Sequence, residues 1–361
     1  MRSMHYIYKS KIFKILSILY IIMISQVALF IIQKQFNRFG NNYILWISIC
    51  FIIIIIILEI LLNYNKFIIL FQIIFLSYLL HSLFIPVTGL LGSDAQYDFH
   101  LVELISKYGW SIQLDSPLAP WPTLHILIYI FSEITGIILL STTRYLPSFI
   151  SVIALIFMFC LSKKMYNNNY ISLVYVLLFS LVYYFLFFHS LPLRETFGFV
   201  ILFSALFSYI IGEKQTNNKK ILFLGLAIFL GLFLILSHHF SALIFMFFFI
   251  TMASINQILE KYKFNYLIKN SRQKYKSLFK YSLIIFIATI GYWIFVSFTV
   301  FATLITSIIN FVSFGEVPRL FLDSLIYPPL IDIRTKIFSY SRALTFLSAI
   351  FIIIHKIICF D

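Results

Sequence analysis

Runs of about twenty mostly apolar residues recur from Ile12 almost to the C-terminus, and this repetition limits the fold more than any other feature of the sequence. A run of that length lets a helix cross the hydrocarbon of a bilayer, with its backbone groups satisfying one another where water is absent. The period-2 alternation that a transmembrane barrel requires is missing. Apolar spans fall at residues 12–32, 43–62, 67–86, 145–162, 170–188, 196–211, 221–237, 240–257, 281–306 and 338–357. The sequence therefore predicts an all-α, polytopic membrane protein: one transmembrane domain over residues 1–361 with about ten transmembrane helices. A mean hydropathy of +0.99 agrees, since no water-soluble domain of this length would show it.

An eleventh apolar run, residues 123–140, carries His125, Ser132, Glu133, Thr135 and Gly136, and the basic loops decide how it is read. Lys163 and Lys164, then Lys214, Lys219 and Lys220, then the basic segment within 258–280 are separated from one another by two spans each. All three can face the cytoplasm together, as the excess of Lys and Arg in cytoplasmic loops requires. From a cytoplasmic N-terminus, three spans put residues 87–122 outside. Reaching Lys163 inside then takes an odd number of crossings, so 123–140 is expected to be re-entrant or interfacial. An unpaired Glu133 at mid-bilayer would also cost about 2.5–3.5 kcal/mol. Lys34 and Arg38 fall outside in this scheme, a mild violation. The same basic loops account for the net charge of +14, so no nucleic-acid partner is expected. Residues 12–32 follow Arg2, Lys9 and Lys11, are long enough to span and lack a small-residue cleavage site, which reads as a retained signal anchor. Cys50, Cys160 and Cys359 show no metal-ligand spacing, and neither a disulfide nor a structural zinc is expected.

Acid is scarce and concentrated. Residues 92–122 contain Asp94, Asp98, Glu103 and Asp115, four of the thirteen carboxylates in the chain, together with His100, Trp110 and Trp121. Asp94 could merely cap a helix beginning near Ser93, and an acid in the first turn complements the helix dipole. Asp98 follows at i+4, on the same side of such a helix, and a cap needs one acid, not two. At a membrane surface the pair would repel and lose water, which is how a base or a cation site is made. Structural and functional readings both stand on the pattern alone. Trp110 and Trp121 have the bland explanation that Trp favours the interface, and Glu59, one turn from a polar span end, is read as snorkelling.

Two short outer turns carry the remaining chemistry. The turn at 189–195 holds His189, Arg194 and Glu195, and Arg is suited to a bidentate grip on phosphate. The turn at 237–241 holds His238 and His239, able to donate to an anion or move a proton. A later outer loop, 307–337, bears Arg319, Asp323, Asp332 and Arg334.

With an acid-bearing loop after a span, the chain resembles the GT-C superfamily of membrane glycosyltransferases, which includes protein O-mannosyltransferases. The resemblance rests on Gly92-Ser93-Asp94 with Asp98, Phe99 and His100, and on Ala119-Pro120-Trp121-Pro122-Thr123-Leu124 leading to Glu133-Ile134-Thr135-Gly136. Arg144-Tyr145-Leu146-Pro147-Ser148, Leu191-Pro192-Leu193-Arg194-Glu195 and Ser237-His238-His239-Phe240-Ser241 complete it. It implies transfer of a sugar from a polyprenyl-phosphate donor to a lipid, glycan or protein acceptor at the outer face of the plasma membrane, with both termini cytoplasmic. Asp94 is then the general base, with Asp98 or His100 assisting. Arg194 with His238 or His239 meets the donor phosphate, and Glu103, Trp121 and Glu195 contact substrate. Some members of the superfamily hold a divalent metal such as Mg or Mn with outer carboxylates and others hold none. Two alternatives predict differently: an oligosaccharide repeat-unit polymerase would depend on Arg319 or Arg334 more than on Asp94, and a transporter or flippase would carry charges at mid-span.

Overall fold

A computed structural model describes residues 2–35, 43–85, 89–90, 93–111, 119–261, 271–298, 302 and 305–306. Asp115, Arg319, Asp323, Asp332, Arg334 and the apolar run at 338–357 lie outside the described residues. So do the side chains of Ser93 and His239. The described elements are all helical, in the order α1 Arg2–Gln35, α2 Tyr43–Leu61, α3 Lys66–Phe84, α4 Ser93–Tyr108, α5 Thr123–Thr135, α6 Leu139–Tyr166, α7 Asn169–Ser180, α8 Tyr183–Phe188, α9 Arg194–Lys214, α10 Asn217–Ser237, α11 His239–Lys261 and α12 Ser271–Phe295. The chain divides into two compact units, Met1–Ala242 and Leu243–Asp361.

Among the described residues six helices are long and apolar enough to cross a membrane: Lys11–Gln33, Tyr43–Leu61, Lys66–Phe84, Leu139–Tyr166, Arg194–Lys214 and Asn217–Ser237. The chain is thus an all-α, multi-pass membrane protein, with six such helices where the sequence predicts ten. The difference has local causes. The run at 170–188 is broken: α7 ends at Ser180, Val182 is extended (φ −65°, ψ 122°), and α8 restarts for only six residues. From the runs at 240–257 and 281–306, only the shorter apolar helices Ser241–Thr251 and Lys280–Phe295 are described.

α5 is 13 residues long, about 20 Å at 1.5 Å per residue, against the roughly 30 Å of a hydrocarbon core. Gly136 ends it at φ 70°, a left-handed conformation that costs glycine little, and its N–H donates to the Ser132 carbonyl. Polar caps end other helices at the basic turns. Asn65 accepts from the Phe67 N–H ahead of α3, and Asn168 accepts from the N–H groups of Tyr170 and Ile171 ahead of α7.

The first unit has two apolar clusters that matter for the site. A large one joins α1, α2, α3, α6, α7 and α8 around Ile52, Ile69, Leu76, Leu155 and Phe185. A smaller one, built from Val102, Leu124, Ile128, Leu146, Ile150, Ala154 and Val200, fastens α4 and α5 to α6 and α9. α9 and α10 form an antiparallel hairpin whose ends are marked by two polar pairs, Glu195 with His238 at one end and Glu213 with Lys220 at the other. Within the second unit, Phe245 and Phe249 pack on Tyr281 with ring centroids 5.9 and 4.9 Å apart.

Candidate functional site

α4 has a buried stripe, Ala95, Asp98, Leu101, Val102 and Ile105, at the spacing of one helix face. Asp98 is the polar member of that stripe and is 1% exposed. α5 presents Leu124, His125, Ile128 and Ser132 in the same manner, and His125 is fully buried. Packing the two faces together brings His125 Nε2 to 2.7 Å from Asp98 Oδ1. The first residue of α9 supplies the third group: Arg194 Nε lies 3.2 Å from the same oxygen, with its side chain 13% exposed. Its guanidinium also lies over buried Trp121, 5.8 Å from the ring centroid, a cation–π contact. Asp98 Oδ2 and His125 Nδ1 are buried and have no hydrogen-bond partner among the described residues.

The next residue of α9 turns to a different neighbour. Glu195 Oε1 lies 3.2 Å from Nε2 of His238, which closes α10. The backbone N–H of Ser241 donates to His238 Nδ1 at 3.2 Å, so that nitrogen carries a lone pair and Nε2 carries the hydrogen that Glu195 accepts. Gly198 allows this closeness, because a Cβ there would sit 3.0 Å from His238 Cβ and 3.2 Å from Ser241 Oγ. Glu195 also lies in the first turn of α9, where a carboxylate faces the positive end of the helix dipole.

Two buried histidines lie behind these pairs. His189, at the end of α8, packs against Phe199 with ring centroids 4.6 Å apart and against Phe185 at 5.3 Å. Burial pushes its pKa down to about 3, with His81 adding to the shift and Glu195 opposing it. Fully buried His81 on α3 meets the Ser77 carbonyl oxygen at 2.7 Å through Nδ1 and sets its ring edge-on to Phe185.

The residues singled out from the sequence therefore separate. Asp98, Arg194, Glu195, His238 and Trp121 gather at one end of the first unit. Asp94 is exposed in the first turn of α4, so it does not form one desolvated pair with Asp98 even though the i+4 spacing keeps them on one side. His100 and Glu103 make a pair of their own at 3.9 Å, 57% and 42% exposed, and Glu133 is exposed on α5. Such an exposed pair contributes little. Among the described residues no three His, Cys, Asp or Glu side chains gather to hold a metal ion.

Comparison with family models, with curated proteins and with solved structures gave no match. What is known of the site is its own geometry. Three elements distant in sequence bring a carboxylate, an imidazole and a guanidinium to one buried point, with a second acid–imidazole pair one residue along α9. The role of His125 was readable in the sequence, since Leu124, His125, Ile128 and Ser132 follow helical spacing with a histidine on the apolar face. His81 carried no comparable signal.

Proposed function

We propose that the chain is a membrane glycosyltransferase that moves a sugar from a polyprenyl-phosphate donor to an acceptor hydroxyl, with Asp98 in place of Asp94 as the acid–base residue. The observation that carries this reading is the buried meeting of Asp98 Oδ1 with His125 at 2.7 Å and Arg194 at 3.2 Å. Ionisable side chains at membrane depth are expensive and mark functional sites by default. With Oδ1 held, Oδ2 is the oxygen left to take the proton of the attacking hydroxyl. The acceptor oxygen bonds to C1 of the sugar as the bond from C1 to the phosphate oxygen breaks, and the polyprenyl phosphate leaves with that electron pair. A cation must meet the charge that develops on the leaving group. Arg194, 3.2 Å from Asp98 Oδ1 through Nε, is the cation beside that carboxylate, and a guanidinium can grip phosphate with two nitrogens. His238 and Glu195 stand beside them to orient the donor.

The same reading sets the topology. Lys163, Lys164, Lys214, Lys219 and Lys220 face the cytoplasm, Asp98 and Arg194 face the outer side with the broken α7–α8 run crossing between Lys164 and Arg194, and both termini are cytoplasmic. Support comes from the α9–α10 hairpin, whose Glu195–His238 pair and Glu213–Lys220 pair lie at opposite ends of a helix of 21 residues.

The test is a membrane assay with polyprenyl-phosphate sugars comparing the wild type with Asp98→Asn and Asp94→Asn. Losing a general base costs about 10²–10⁴-fold, so Asp98→Asn should lose transfer on that scale while Asp94→Asn stays near wild type. The reverse pattern would sink the assignment of Asp98, and no transfer by the wild type with any such donor would sink the activity.

A further inference from the structure

The Asp98–Arg194 pair supplies charge but not direction. Arg194 Nε is buried and lies 3.2 Å from Asp98 Oδ1, yet it makes no hydrogen bond among the described residues, with that oxygen or any other. An ion pair of this kind draws a guanidinium close without fixing its plane, whereas Arg recognises phosphate through a planar fork whose orientation matters. Another contact must set the plane. The guanidinium lies over the ring of Trp121, 5.8 Å from the centroid, and the negative face of an aromatic ring holds a cation above it.

Trp121 is itself held firmly. Ala119, Pro120, Trp121 and Pro122 are all buried, and Trp121 is 1% exposed, so what its ring meets is the guanidinium and not solvent. Prolines on both sides stiffen the backbone here, because each fixes its own φ and the residue before a proline is confined to extended conformations. Ala119 packs with Leu101 and Ile105, on the face of α4 that carries Asp98. Its carbonyl accepts from the Trp110 indole N–H at 3.0 Å, just after Gly109 ends α4 at φ 74°. Four residues beyond Trp121 comes His125, 2.7 Å from Asp98 Oδ1. One short stretch, 119–125, therefore grips both members of the pair: His125 the carboxylate, Trp121 the guanidinium.

We propose that Trp121 is a positioning residue that fixes the plane of the Arg194 guanidinium beside Asp98, and so the direction from which Arg194 meets a phosphate. That this phosphate belongs to the sugar donor rests on the glycosyltransferase reading, and the ring contact has a test that needs no sugar.

Phenylglyoxal modifies arginine side chains, and peptide mapping reads Arg194 in the full chain in membranes, with Arg144 on α6 as the measure of intact folding. Trp121→Leu and Trp121→Met keep an apolar side chain without a ring, and Trp121→Phe keeps a ring face. Arg194 should react about tenfold faster in Trp121→Leu and Trp121→Met, and within about threefold of the wild type in Trp121→Phe, as a cation–π contact predicts. With a polyprenyl-phosphate sugar, kcat/KM for the donor should fall about tenfold in the first two and be largely restored in Trp121→Phe, with the acceptor KM unchanged. Equal Arg194 reactivity in all three variants would mean that Trp121 only fills space, and would overturn the proposal. Where Arg144 speeds up as well, that variant has lost its fold, and Trp121→Phe decides alone: fast modification of Arg194 there overturns the proposal, slow modification upholds it. Reactivity that follows the ring while donor kcat/KM does not would overturn the link to the donor. A wild type that transfers no sugar, with reactivity still following the ring, would sink the glycosyltransferase reading and leave the positioning of Arg194 standing.

Discussion

The two ends of the α9–α10 hairpin differ in how many elements share their charge. At the Arg194 end acids, imidazoles and a guanidinium from α4, α5, α9 and α10 meet with most of their side chains covered: Asp98 is 2%, His125 0%, His238 4% and Arg194 13% exposed, and Glu195 keeps 38%. At the Lys214 end the charges are mostly basic, and one lysine there, Lys220, stays 39% exposed while reaching the 6% exposed Glu213 side chain at 3.6 Å. Charge left in water marks which way a helix lies, and it costs the fold almost nothing. Charge taken out of water has to be matched by a partner, and a chain that carries that cost in four elements at one point is maintaining something other than solubility.

The contrast can be broken most directly at Arg194. Arg194→Ala leaves the Asp98 carboxylate buried with only His125 beside it, and the expected loss is about 3–5 kcal/mol of stability, read as a shift of the unfolding midpoint in detergent. A loss below about 1 kcal/mol would mean that this end is as well hydrated as the other.

The next effect is one of pH. His189 has its pKa pushed down to about 3 by burial, whereas an unfolded histidine titrates near 6.5. Between those values the unfolded chain takes up a proton that the buried ring refuses, so stability should fall as pH falls, by up to about 1.4 kcal/mol per pH unit. His189→Phe keeps a ring against Phe185 and Phe199 and should flatten that part of the stability–pH curve. An unchanged slope would show that His189 is already hydrated in the folded state.

The smallest effect belongs to the basic end. Lys220→Gln removes the partner of Glu213 and should cost about 0–1 kcal/mol. A larger loss would show that the basic turn carries structure as well as orientation.

Much of the first unit was legible in the sequence because hydrophobic length is read without knowing any partner. The spans that became α2, α3, α9 and α10 needed only a window of apolar residues, and the short apolar run before α6 was set apart by Glu133 and Gly136. The break between α7 and α8 was not legible, since Ser180, Leu181 and Val182 include neither Pro nor Gly and the surrounding run is uniformly apolar. At the site, the turns holding Arg194 and His238 were found by their polarity. The choice between Asp94 and Asp98 needed the α4–α5 contact: both lie on one side of the helix, and only the reach of α5 decides which is covered. His125 entered the sequence reading only as one polar residue of the 123–140 run, although a histidine on an apolar helical face is also the signature of a buried partner. Glu59, fully buried instead of snorkelling to the span end, misled for a similar reason, because distance from a span end tells how far a side chain must reach and says nothing of what packs over it.

The shared oxygen of Asp98 also has a consequence for how the protein is made. His125 is synthesised soon after Asp98, but Arg194 follows only after α6, α7 and α8 have left the ribosome. Until then Asp98 must wait without its guanidinium, so docking of the first turn of α9 is the step that completes its pairing. A nascent chain halted before Arg194 should leave α4 open to water-soluble reagents that the finished protein excludes.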